Sequence, residues 1–127
     1  MIKLLFILML CHWLADFTHL STPRMLKAKL IGKPLFPIFI HACIHGTLMC
    51  FVLLFFVPIK SVLILTGVQI CTHFCIDVLK GKLNVWFPAL ADAKNPFHWY
   101  IFGLDQMLHQ GVIVLMVSYN FYLLSAS

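Results

Sequence analysis

The chain has 127 residues, which is enough for one domain and too short for a second hydrophobic core. Hydrophobic residues make up 62% of the chain and charged residues 10%, against roughly 45–50% and ~25% in soluble domains. This composition excludes a soluble globular protein and predicts an integral membrane protein. The net charge of +5 does not indicate nucleic-acid binding, because the basic residues lie between apolar segments, where they orient a membrane protein.

Four apolar segments are each close to the ~20 residues that a helix needs to cross a membrane. In chain order they predict membrane spans at residues 2–20, 37–57, 60–79 and 100–122. The first is interpreted as an uncleaved span rather than a signal peptide. The five cysteines lie within apolar stretches and are interpreted as small buried hydrophobic residues, not as a disulfide framework.

The fold class that follows is all-α, an integral membrane four-helix bundle in one domain over residues 1–127. Most lysine and arginine residues lie in the two connections 21–36 and 80–99, which share one side of the membrane. The positive-inside rule places both connections in the cytoplasm and both termini outside. We therefore expect a multi-pass membrane protein.

Each predicted span contains two metal-binding side chains separated by three residues. The pairs are His12/Asp16, His41/His45, His73/Asp77 and Asp105/His109. Residues four apart lie on the same face of a helix, so each pair offers two ligands in one direction. Because successive spans run in opposite directions, the four pairs fall at about the same depth. The sequence therefore predicts one metal site in the cytoplasmic third of the bundle.

The three aspartates of these pairs require compensation inside a membrane, since each ionised Asp costs about 2.5–3.5 kcal/mol on insertion scales. A bound divalent transition metal would supply it. Eight ligands are more than one tetrahedral ion uses, so we expect two ions, with zinc favoured over manganese or iron. The chain has no glutamate, which argues against a di-iron site with Glu-x-x-His motifs. The alternative without metal is a polar network that fixes helix register.

Residues beside the pairs are candidates for further roles. His19 and His98 lie seven residues from a predicted ligand and would share its helix face; they are interpreted as extra ligands, proton shuttles or interfacial histidines. Gln106 is predicted to hydrogen-bond a ligand. Lys80 is predicted to hold a substrate phosphate, with a boundary lysine that reaches to the headgroups as the alternative. Asp16 and His19 are the candidate general bases.

Four stretches carry a resemblance to a known family: HWLADF (12–17), HACIH (41–45), HFCIDVLK (73–80) and DQMLH (105–109). Together they resemble the small bacterial and phage membrane proteins grouped as domain of unknown function 3307, over essentially the whole chain. That family is similar in pattern to proteins labelled inner-membrane metal-dependent hydrolases. The resemblance implies a location in the bacterial inner (cytoplasmic) membrane and a metal site formed by the paired residues above.

Three functions are compatible with such a site. The first is a metal-dependent hydrolase, in which metal-bound hydroxide attacks a membrane-associated lipid or polyprenyl phosphoester. The alternatives are a proton or metal-ion relay or transporter, and a non-catalytic membrane protein with a structural metal. A transporter should have polar residues leading to both sides, and the outer segments 48–57 and 112–124 are nearly devoid of them. The expected partners are the lipid bilayer and a lipid-like substrate, and no nucleic acid.

Overall fold

The computed structural model describes residues 1–126, with side chains to residue 122. The described chain is helical and contains no β-strand, which confirms the all-α class. Its elements are α1 (Ile2–Phe17), α2 (Pro23–Ile31), α3 (Leu35–Leu53), α4 (Ile59–Trp86), a short 3₁₀ helix (Pro88–Leu90) and α5 (Pro96–Ala126).

Three helices, α3, α4 and α5 as far as Tyr122, are long and apolar enough to cross a membrane. The predicted first span, 2–20, corresponds to α1, which has 16 residues and ends at Phe17. At 1.5 Å per residue α1 is about 24 Å long, which is less than the roughly 30 Å of a hydrocarbon core. The helix ends there because Thr18 adopts an extended backbone conformation. Length and composition therefore support three of the four predicted spans.

The four long helices surround a shared interior, because α1 and α4 each pack against both α3 and α5. One end of this interior is an apolar cluster of buried side chains: Leu4, Leu8, Met49, Leu53, Val57, Val62, Leu65, Ile113, Met116 and Val117. In lipid, such a cluster is held by close packing of side chains rather than by transfer from water. The other end of the interior contains the buried histidines and aspartates.

The first basic connection, predicted without a helix, contains α2. The side chain of Thr22 accepts a hydrogen bond from the Met25 N–H at 3.3 Å, and Pro23 occupies the first turn. Gly32 ends the helix in the left-handed region, with φ of 67°, and its N–H donates to the Ala28 carbonyl. The helix packs on α3 and α4, so this connection is an ordered part of the fold.

A glycine contact fixes the end of α2 against α4, which continues as a helix past the predicted end of its span. A Cβ added to Gly81 would lie 2.1 Å from the Gly32 nitrogen and 2.5 Å from the Lys29 carbonyl oxygen. The Asn84 side chain donates to the Leu30 carbonyl at 3.1 Å. The two backbones approach this closely because residue 81 has no side chain.

We expect Gly81→Ala to lower the free energy of unfolding by about 1–3 kcal/mol, since the new methyl group meets backbone that cannot rotate away. The thermal unfolding midpoint in detergent measures this. Gly103→Ala is the matched control, because its Cβ would have no neighbour within 4 Å. Equal midpoints for the two variants would show that the Gly32–Gly81 contact does not stabilise the fold.

Candidate metal centre

The structure brings the four predicted pairs together between the long helices. All eight side chains are buried, with at most 9% of any residue exposed. His73 is central: its ring centre lies 3.7 Å from that of His45 and 4.1 Å from that of His109. The pairs therefore form one layer across the interior, because each pair occupies one helix face and neighbouring long helices bring those faces to the same depth.

One group of donors consists of Asp16, His41, His45 and His73, whose ligand atoms all lie within 4.8 Å of one another. Asp16 Oδ1 is 2.9 Å from His41 Nε2 and 3.4 Å from His45 Nε2, and these two nitrogens are 3.2 Å apart. Ligand atoms around a tetrahedral zinc ion, at Zn–N distances of about 2.0–2.1 Å, are about 3.3 Å from each other. The triangle of donors has the dimensions of one face of such a tetrahedron.

A second group consists of His73, Asp77 and His109 and shares His73 with the first. His73 Nε2 is 3.3 Å from Asp77 Oδ2, and His109 Nε2 is 3.6 Å from Asp77 Oδ1. His109 Nε2 also lies 3.5 Å from Asp105 Oδ1. These buried groups could hold a metal ion, and together they contain six of the eight predicted ligands.

The other two predicted ligands, His12 and Asp105, lie at the edge of the cluster and contact Gln106. The Gln106 amide nitrogen donates to Asp16 Oδ2 at 3.2 Å and to Asp105 Oδ2 at 3.3 Å. Its amide oxygen is 3.4 Å from His12 Nε2. Asp105 also accepts a hydrogen bond from Lys80 at 2.7 Å. Gln106 thus contacts three members of the cluster, and Lys80 is paired with a carboxylate.

Several polar atoms at the centre lack hydrogen-bond partners among the described residues. They are both ring nitrogens of His73, Nε2 of His109 and both carboxylate oxygens of Asp77. These carboxylate oxygens lie within ion-pair distance of the two histidines but not in hydrogen-bond geometry. An unsatisfied buried polar group costs about 1–3 kcal/mol. A cation bound between His73 Nε2, His109 Nε2 and the Asp77 oxygens would satisfy these four atoms but not His73 Nδ1. The residues present therefore fit a divalent metal ion.

Lys29 on α2 enters the cluster, which the sequence analysis missed. Its ammonium nitrogen is 2.8 Å from Asp16 Oδ1, 3.2 Å from Asp77 Oδ1 and 2.9 Å from His41 Nε2. Burial lowers the pKa of Lys29, but the carboxylates of Asp77 and Asp16 outweigh this effect and raise the pKa above its ordinary value. Lys29 is therefore a buried cation. No feature of the local sequence distinguishes Lys29 from Lys27, because the position of the Lys29 ammonium depends on how α2 packs against α3 and α4.

Ser21 fixes the orientation of His41. The Ser21 hydroxyl donates to the Ala15 carbonyl at 2.8 Å, so its proton is already used. His41 Nδ1, 3.2 Å from the same hydroxyl oxygen, must then be the donor in that contact. A neutral His41 ring then carries its proton on Nδ1 and presents the lone pair of Nε2 to the Lys29 ammonium, which also donates to the nearby Asp16 Oδ1. Metal-binding histidines are commonly held in this way by a partner on the other nitrogen.

The structure does not bring His19 or His98 into the cluster. His19 is exposed and takes part in none of the hydrogen bonds or ion pairs among the described residues. His98 donates from Nδ1 to the Leu90 carbonyl at 2.7 Å, which ties the start of α5 to the 3₁₀ helix. His19 does not share the ligand face of α1, because α1 ends at Phe17, before that residue. Its role as a base stays a prediction without structural support.

Two cavities lie beside the cluster, at the end that holds the basic connections. The larger, about 350 Å³, is lined by Asp16, Lys29, Lys80, Phe102 and Gln106 among others. The second, about 210 Å³, shares both lysines and the phenylalanine with the first. The cluster is therefore reached from one end of the helices, and the buried apolar side chains fill the other end.

The described chain is all-helical, has three helices long and apolar enough to cross a membrane, and has buried His/Asp groups that could hold a metal ion. These features define a membrane protein with a candidate metal centre. Residues 4–127 match the family described as Protein of unknown function (DUF3307), and the chain belongs to that family. The resemblance inferred from the four motifs is confirmed. No curated protein and no solved structure matches the chain.

We expect Ser21→Ala to lower the free energy of unfolding by about 1–3 kcal/mol, because it leaves the buried Nδ1 of His41 without its partner. Thermal unfolding in detergent measures the change. Ser118→Ala, at an exposed position on α5, is the control and should leave the midpoint unchanged. If Ser21→Ala were as stable as the control, the contact between Ser21 and His41 would not stabilise the fold.

Proposed function

We propose that this protein is a metal-dependent hydrolase of the bacterial inner membrane that acts on a membrane-associated lipid or polyprenyl phosphoester. The observation that carries the proposal is the convergence of six buried nitrogen and oxygen donors, several of them without hydrogen-bond partners, beside cavities that open at one end. A purely structural polar network would be expected to satisfy its own buried atoms.

The donors suit a divalent transition metal, with zinc favoured and manganese or iron as alternatives. Each of the two groups that share His73 would offer donors for one ion. A divalent ion held here would lower the pKa of a coordinated water from its value in bulk towards about 7. Gln106 and Ser21 would orient the surrounding ligands through the hydrogen bonds described above.

The chain's own residues then suggest how a substrate would bind. Asp16 belongs to the first donor group and also lines the larger cavity, so it is the candidate to accept a proton from an attacking water. Lys29 and Lys80 on the cavity wall favour an anionic headgroup, and Phe102 and Leu26 offer apolar contact to the attached chain. This combination of charge and apolar surface supports an amphiphilic phosphoester as substrate.

The proposed topology keeps α1 as a fourth span, with the connections 21–36 and 80–99 in the cytoplasm and both termini outside. The basic residues of these connections support it. The short length of α1 would be accommodated by local thinning of the bilayer. With this topology the cavities face the cytoplasmic headgroups, where a lipid phosphoester would be within reach.

A proton or metal-ion relay is the second candidate, because two polar side chains are buried beyond the cluster. Gln69, 1% exposed, lies one turn before His73, and Asn120 is 2% exposed on α5. Asn120 lies within the segment 112–124 that was predicted from sequence to be nearly apolar, whereas Gln69 lies outside both segments named there. The ten apolar side chains of the buried cluster fill the interior at that end, so we expect no metal or proton flux through the protein in liposomes.

We expect the protein purified in detergent to contain bound transition metal, and His73→Ala to lose most of it, because His73 belongs to both donor groups. Elemental mass spectrometry measures the metal content. His19→Ala is the matched control, since His19 is exposed outside the cluster. Wild-type protein without metal, even after incubation with zinc, manganese and iron, would refute the metal centre.

Phosphate release from phosphatidic acid in mixed micelles tests the reaction. We expect metal-loaded protein to release phosphate and Asp16→Asn to be slower by about 10²-fold or more, the usual contribution of a general base. Asp92→Asn, at an exposed position, should keep the wild-type rate. Bound metal with no hydrolysis of phosphatidic acid or of polyprenyl phosphoesters would favour a structural role for the metal.

A further inference from the structure

The Lys29 ammonium lies within the first donor group, in contact with atoms that a metal ion would use. It is 2.8 Å from Asp16 Oδ1 and 2.9 Å from His41 Nε2, and its side chain is only 12% exposed. It also lies 3.2 Å from Asp77 Oδ1, a donor of the second group. A positive charge supplied by the chain thus already compensates two of the buried carboxylates.

The contact with His41 excludes a metal ion on the same atom. With the ring proton on Nδ1, fixed by Ser21, His41 Nε2 has one lone pair in the ring plane. That lone pair can accept a hydrogen bond from Lys29 or bind a metal ion, but not both. The carboxylates differ, because each oxygen has more than one lone pair and can contact two cations. His41 is therefore the residue for which Lys29 and a metal ion compete.

The net charge of the cluster also bears on how many ions bind. It contains the three carboxylates of Asp16, Asp77 and Asp105 and the two ammonium groups of Lys29 and Lys80, which sum to −1 when the histidines are neutral. One divalent ion changes this sum to +1, whereas two ions would leave +3 in a buried site. Uncompensated buried charge is strongly unfavourable. Loss of the Lys29 charge lowers the two-ion sum from +3 to +2, so a second ion is less unfavourable without Lys29 than with it.

The docking of α2 holds Lys29 at this position. The Lys29 carbonyl lies at the Gly32–Gly81 contact, and the next residue, Leu30, is held by Asn84. The backbone of Lys29 is therefore fixed against α4 while its side chain reaches the cluster. Removing the ammonium, or moving this end of α2 away, would free the lone pair of His41.

We propose that Lys29 is an internal cation that competes with a metal ion for His41, so that docked α2 limits the cluster to one ion, held by His73, Asp77 and His109. This inference rests on the metal binding proposed above. It assigns Lys29 as the residue that sets how many ions bind, and it makes the first donor group a second position that opens only when Lys29 leaves.

Zinc stoichiometry of the full chain in detergent tests this, measured by elemental mass spectrometry after removal of free zinc. We expect one equivalent for the wild type and two for Lys29→Met. Lys27→Met, which removes a charge from an exposed position of the same helix, should keep one equivalent. Two equivalents in the wild type, or one in Lys29→Met, would overturn the role of Lys29.

A second test does not depend on the folding of Lys29→Met. Because Lys29 occupies His41 in the wild type, His41→Ala should keep the single equivalent with its zinc affinity changed by less than about threefold, whereas His109→Ala should weaken it by more than about tenfold. A loss of affinity in His41→Ala as large as that in His109→Ala would overturn the inference. Absence of zinc from every protein, wild type included, would instead refute the metal centre itself.

Discussion

The rest of the structure depends on the compensation of two buried carboxylates, Asp16 and Asp77. A carboxylate in a low-dielectric interior is strongly unfavourable unless positive charge or hydrogen-bond donors reach it. Here α2 supplies Lys29, whose ammonium contacts both. At the edge of the cluster Lys80 does the same for Asp105. The ammonium groups of Lys29 and Lys80 thus compensate much of the negative charge of the carboxylates, and the imidazole rings surround these ion pairs.

This need for a cation explains features that would otherwise be unrelated. An ammonium reaches the cluster only if α2 lies close to α4, and that approach requires a residue without a side chain at Gly81. It also requires α4 to remain helical beyond residue 79, so that Gly81 and Asn84 can contact α2. The part of the chain assigned from sequence to membrane orientation is therefore also part of the site.

Sequence alone predicted the helical class and the approach of the four pairs, because both follow from the periodicity of single helices and their alternating directions. It could also have located α2, since Thr22 and Gly32 are ordinary end signals. The position of Lys29 could not be predicted from sequence, because no local feature distinguishes a lysine that enters a buried cluster from one that faces the lipid headgroups. His19 was placed on the ligand face on the assumption of a continuous helix, and α1 ends at Phe17.

The two ends of the interior differ in polarity, and this difference bears on the choice between hydrolysis and transport. Charged side chains and the two cavities beside the cluster lie at the end that holds the basic connections. The other end is mainly apolar, with one small cavity of about 30 Å³ lined by Ser61, Leu65 and Asn120 among others. A path for ions needs polar groups along its whole length, because each unsolvated step in an apolar region is costly. Gln69 and Asn120 are buried beyond the His/Asp cluster, but ten apolar side chains occupy this end of the interior. Chemistry on a molecule that enters and leaves by the same end needs no such path, which is why the arrangement favours hydrolysis over transport.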